Sequence, residues 1–83
     1  MILVEIYSKD DCHLCDVAKE TLSRIRKREQ FELREITIRE GDAFYEKFKE
    51  RVPVVYIDGE FAFQYRIHPE RFLRKLAAAR TRE

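Results

Sequence analysis

With 83 residues, the chain has room for one domain, 1–83, whose core would hide about 60–65% of its unfolded surface. Its 45% hydrophobic and 40% charged residues suit a folded protein. Its 17 basic and 16 acidic side chains nearly cancel at net +1, which leaves no overall field to hold nucleic acid or an anionic membrane.

No run approaches transmembrane length. Met1–Val4 is too short for the apolar region of a signal peptide and is closed by Glu5. The expected location is therefore the cytoplasm, where a cysteine pair is more often redox-active or metal-binding than structural.

The first strand is expected at Ile2–Tyr7, a short apolar run. Ser8–Asp11 turns into a helix from about Cys12 to Arg28, with Asp11 as its N-cap. Leu14, Cys15, Ala18, Leu22 and Ile25 have helical spacing. Asp16 early, and Arg24, Arg26, Lys27 and Arg28 late, suit the helix dipole, so the basic run reads as a solvated helix end.

Phe31–Ile38 is the second strand. Its apolar alternation changes phase at Glu35, which implies a bulge near Arg34–Glu35 or a later start. Strand, helix and strand of these lengths make a βαβ unit with parallel strands. Asp42 can cap a short helix, Ala43–Lys49, that buries Phe44, Tyr45 and Phe48.

Val52–Ile57 is the third strand, with Pro53 near its start. Asp58-Gly59 signals a hairpin into a fourth, Glu60–Ile67, with Phe61, Phe63, Tyr65 and Ile67 on one face. Pro69 opens a last helix to about Ala79 whose apolar face is Phe72, Leu73, Leu76 and Ala77. Arg80–Glu83 is read as a frayed tail. The order β-α-β-α-β-β-α fits an α/β fold with one four-stranded mixed sheet and helices on both faces.

Asp11–Asp16 reads Asp-Cys-His-Leu-Cys-Asp and holds both cysteines of the chain. A thiol at a helix N-terminus faces unpaired N–H groups and the positive end of the dipole, and both favour the reactive thiolate. Cys12 would be the exposed nucleophile. Cys15, one turn deeper, would resolve the mixed disulfide by attacking the Cys12 sulfur. Lys9 and a protonated His13 would favour the Cys12 thiolate, and Asp10, Asp11 and Asp16 would oppose it.

A C-x-x-C pair also occurs in metal sites. A closed zinc site needs four ligands, and the chain offers Cys12, Cys15, His13 and His68. His13 would point away from the cysteines' shared face. Two chains could instead share a metal or an iron–sulfur cluster through four thiolates. A redox-fold adaptor without turnover is the third reading.

Lys9-Asp10-Asp11-Cys12-His13-Leu14-Cys15 after a first strand resembles the K-x-x-C-x-x-C of glutaredoxins. Val52-Pro53 resembles the V-P of the thioredoxin superfamily, where that proline is cis. The likeness spans nearly the whole chain and is greatest to the small glutaredoxin-like proteins whose motif reads C-H-L-C.

The resemblance implies a thioredoxin-like, glutaredoxin-type three-layer sandwich and a dithiol–disulfide oxidoreductase. Cys12 and Cys15 would be catalytic, and Lys9, His13, Val52 and Pro53 would bind substrate. Pro53 would pack beside Cys12, and the Val52 backbone would pair with the substrate's main chain. The substrates would be protein or small-thiol disulfides, glutathione among them, with a separate electron donor. No metal or organic cofactor is required, and a monomer suffices.

The chain departs from the glutaredoxin pattern at three places. His13-Leu14 replaces Pro-Tyr, Arg51 replaces the Thr before Val-Pro, and Arg66-Ile67-His68-Pro69 replaces the Gly-Gly-Asp-like stretch that holds the γ-glutamyl group of glutathione. Lys9 and Arg51 are the cations left to meet a carboxylate.

Overall fold

Alternating apolar side chains on the first strand organise the sheet. The computed structural model describes residues 1–83, and in it β1 runs Leu3–Ser8. Ile2, Val4 and Ile6 are all buried in the main core. β1 pairs in parallel with β2, Glu32–Thr37. On its other side it pairs antiparallel with β3, Val54–Ile57, which in turn pairs antiparallel with β4, Glu60–Gln64. The strand order is β2-β1-β3-β4.

Three helices complete the β-α-β-α-β-β-α order: α1 at His13–Arg26, α2 at Tyr45–Phe48 and α3 at Pro69–Thr81. Ala18 and Leu22 of α1 and Phe72, Leu76 and Ala79 of α3 pack with Val4, Ile6, Val55, Ile57 and Phe63 of the sheet. Phe48 of α2 belongs to a second cluster with Cys15, Ile38, Val52 and Val54. The fold is the α/β, thioredoxin-like sandwich expected. No helix is long and apolar enough to cross a membrane.

Several elements differ in detail from the sequence reading. β2 keeps an unbroken register from Leu3↔Glu32 to Ser8↔Thr37, so it has no bulge and starts one residue after Phe31. Its change of phase has another cause. Phe31 and Leu33 pack on the main core, while Ile38 joins the second cluster, so the two ends of the segment are covered by different cores.

The bulge lies in β4 instead. Val55 pairs with Phe63 and Tyr56 with Phe61, which leaves Ala62 as the extra residue. Phe63 therefore enters the main core, whereas Phe61 stays exposed against Tyr56, with ring centroids 6.0 Å apart. β4 ends at Gln64, because Tyr65 has φ 68 and leaves the extended conformation.

The second helix is a single turn. Asp42 closes a tight turn, with Oδ2 accepting from the Arg39 N–H at 2.7 Å, so Ala43 and Phe44 precede the helix. Phe44 is exposed and Phe48 alone of the expected stripe is fully buried. In α3 the buried stripe is Phe72, Leu76 and Ala79, with Leu73 and Ala77 outside it. Arg80 is not frayed: it pairs with Glu29 at 2.8 Å and donates to the Gln30 carbonyl at 2.7 Å. The hairpin signal at Asp58-Gly59 holds, with φ values of 48 and 82 as a type I′ turn requires.

Candidate active site

Cys12 sits where β1 has ended and α1 begins. The cap is Cys12 itself and not Asp11. Asp11 takes a left-handed φ of 55, which Asp tolerates better than most residues, and so lies one position too early. Cys12 is extended at φ −120 and ψ 103, and its Sγ accepts from the Cys15 N–H at 3.2 Å. Cys12 is half-buried and Cys15 is 1% exposed. The two sulfurs are joined in a disulfide, so no cysteine is free.

Cys12 packs against the second cluster, which contains both Cys15 and Val52. The Val52–Pro53 peptide bond is cis and both residues are buried. The Val52 N–H donates to the Phe48 carbonyl at 3.1 Å, and the Pro53 carbonyl accepts from the Tyr65 N–H at 2.9 Å. The Val52 carbonyl accepts no backbone hydrogen bond.

A family model described as glutaredoxin-like domain (DUF836) matches residues 3–77. The chain belongs to this glutaredoxin-like family. Solved structures agree. The X-ray structure of protein XcR50 from X. campestris is 28% identical with a TM-score of 0.74, covering 90% of this chain and 96% of that one. The NMR structure of Ne2328 from Nitrosomonas europaea is 23% identical with a TM-score of 0.77, covering 90% and 91%. SA0789 from Staphylococcus aureus, a protein of unknown function, is 17% identical with a TM-score of 0.62, covering 99% and 94%. The last two share the fold alone. A glutaredoxin-like fold with Cys12 joined to Cys15 fits a redox-type domain.

The remaining candidates of this glutaredoxin-like domain are spread around that centre. Lys9 turns one donor of its ammonium to the Lys49 carbonyl at 2.8 Å, at the end of α2. Arg51 donates from Nε to Gln64 Oε1 at 2.7 Å. Its guanidinium also lies 5.6 Å from the ring centres of both Phe48 and Phe61. His13, the first residue of α1, is exposed and faces a groove shared with Tyr65, Arg66 and His68. His68 precedes α3 without a side-chain capping bond. No three His, Cys, Asp or Glu side chains converge as a metal-ligand set.

Sequence reasoning missed Tyr65 and Arg66 as candidates. It placed Tyr65 inside a strand, because the alternation of Phe61, Phe63 and Tyr65 looked regular. A glycine would have marked the left-handed turn, and Tyr65 gives no such mark.

Burial raises the Tyr7 phenol above its ordinary value, helped by the nearby charge of Glu5 and by Tyr56. Tyr7 packs on the second cluster, as does Cys12.

Proposed function

We propose that the chain is a dithiol–disulfide oxidoreductase acting through Cys12 and Cys15. The observation that supports it most is the half-buried Cys12 at a helix N-cap, joined to a buried Cys15.

In the reduced protein the Cys12 thiolate attacks one sulfur of a substrate disulfide. The substrate S–S bond breaks, a Cys12–substrate disulfide forms, and the other substrate sulfur leaves as thiolate and takes up a proton. Cys15, deprotonated, then attacks the Cys12 sulfur. The Cys12–Cys15 bond forms, and the second substrate thiolate leaves. The substrate gains two electrons and the protein loses them. A thiol donor of separate origin returns them by the reverse exchange.

The roles follow from position. The first-turn N–H groups of α1 stabilise the thiolate on Cys12 when it attacks and when it leaves. Burial keeps Cys15 from bulky disulfides, so it resolves and does not initiate. The free Val52 carbonyl accepts from a substrate main chain running past Pro53, which supplies affinity without side-chain selectivity. Lys9 offers this path a cation for substrate acids, and His13 a ring nitrogen for hydrogen bonding.

The test equilibrates the protein in graded thiol–disulfide buffers, traps free thiols by alkylation and weighs the intact chain. One two-electron transition is expected. Cys12→Ser should abolish exchange, and Cys15→Ser should accumulate substrate bound to Cys12. Continued turnover by Cys12→Ser would exclude the mechanism. A glutathione adduct on Cys12 in the same titration would add glutathione to the substrates.

A further inference from the structure

Two hollows lie end to end along α1. The first, about 330 Å³, begins at His13, the residue after Cys12, and is walled by Tyr65, Arg66 and His68. The second, about 590 Å³, continues to Arg28 and is bounded by Pro69 and Leu73 of α3. Thr21 lines both, and the adjacent His68 and Pro69 join them. At about 1.5 Å per residue, the groove follows α1 for roughly 20 Å.

Its chemistry is uniform along that length. Three of the six exposed large apolar side chains of the whole protein line it: Val17 at 47%, Tyr65 at 43% and Leu73 at 40%. Its rim is basic, with Arg66 and the imidazoles of His13 and His68 in the first hollow and Arg24, Lys27 and Arg28 in the second. The one carboxylate in the lining, Glu29, is already paired with Arg80 at 2.8 Å. Arg24 is paired with Glu20, which does not line the groove. Lys27, Arg28 and Arg66 have no ion-pair partner.

A helix C-terminus accounts for Arg24, Lys27 and Arg28 taken alone. It does not account for Arg66 on a different segment, nor for apolar side chains left in water between the two basic groups.

We propose that this groove docks an acidic, partly apolar segment of a protein substrate, in extended form, and leads that protein's disulfide to Cys12. The proposal rests on the exchange reading for its purpose, though not for the binding itself. At about 3.3 Å per residue, the groove holds roughly six extended residues.

Two synthetic peptides test it, one with Asp and Glu beside a cysteine and its twin with Asn and Gln. Each cysteine is blocked as a mixed disulfide with 2-mercaptoethanol. The wild-type protein should exchange the acidic peptide about tenfold faster at low ionic strength, an advantage that salt erodes. The double variant Lys27→Glu, Arg28→Glu and, separately, Arg66→Glu should each bring the acidic-to-neutral rate ratio close to one. Equal rates in the wild type, or a ratio that both reversals leave intact, would overturn the groove.

Fluorescence anisotropy with a labelled, cysteine-free acidic peptide separates docking from chemistry. Binding that Arg66→Glu weakens supports the groove even if no disulfide is exchanged. Absence of binding overturns it even if exchange proceeds. Stronger binding to anionic vesicles than to the acidic peptide also overturns it.

Discussion

Tyr65 holds its backbone at φ 68, where a bulky L residue is strained by about 1–2 kcal/mol. Its N–H donates to the Pro53 carbonyl, so the strained turn where the chain leaves β4 is tied to the segment beside the cysteines. Tyr65 is 43% exposed. Tyr65→Gly removes the strain but loosens the unfolded chain, so a net gain of about 0.5–1 kcal/mol is expected in urea unfolding. A net loss would mean that the ring's contacts outweigh the backbone. Tyr7 makes a different prediction. Its folded-state pKa lies above the ordinary 10.0, so its share of stability is whole below that pH and is lost as pH rises through the folded value. Tyr7→Phe keeps the ring in its edge-on and tilted contacts with Phe44, Phe48 and Tyr56. Thermal melts should agree with wild type at neutral pH and fall less steeply than wild type above pH 10.0. The letters exposed Cys12 and Cys15 because a C-x-x-C pair at a strand-to-helix junction marks a redox or metal-binding pair. They could not reveal Tyr65, whose left-handed backbone is marked by no glycine.

α3 shows how an apolar face can be misplaced around a helix. Phe72, Leu73, Leu76 and Ala77 satisfy helical periodicity as well as Phe72, Leu76 and Ala79 do. The choice between them is made by the sheet, which meets α3 along a narrow stripe. The distinction can be measured at residues of the same type. Ala79→Gln places a longer polar side chain in the core and should cost about 1–3 kcal/mol. Ala77→Gln, on the exposed side, should stay within about 0.5 kcal/mol of wild type in the same denaturant titration. β4 carries the same lesson. The alternation of Phe61 and Phe63 predicts a shared face, but Ala62 is inserted between them and turns them apart. A bulge leaves no trace in composition, since its extra residue is an ordinary Ala. α2 is a single turn because the Asp42 carboxylate closes a turn with Arg39 and caps no helix.

The whole molecule divides its apolar residues between two cores. Twelve buried residues join α1 and α3 to the sheet, while a separate five include Cys15 and Val52. Element order, hairpin and parallel pair were all legible, because each follows from local pattern and chain length. The division of the cores was not, because it depends on which face of each strand a helix reaches. The consequence lies in the second core. The chain has four Tyr and no Trp, and Tyr7, Tyr45 and Tyr56 all pack on that core, as does Cys12. A disulfide quenches the excited state of an aromatic ring close to it. The oxidised protein should therefore emit weakly in the near ultraviolet and brighten when Cys12 and Cys15 are reduced, a change that Cys12→Ser should lack. Its oxidation state could then be followed in real time by its own light, without a label.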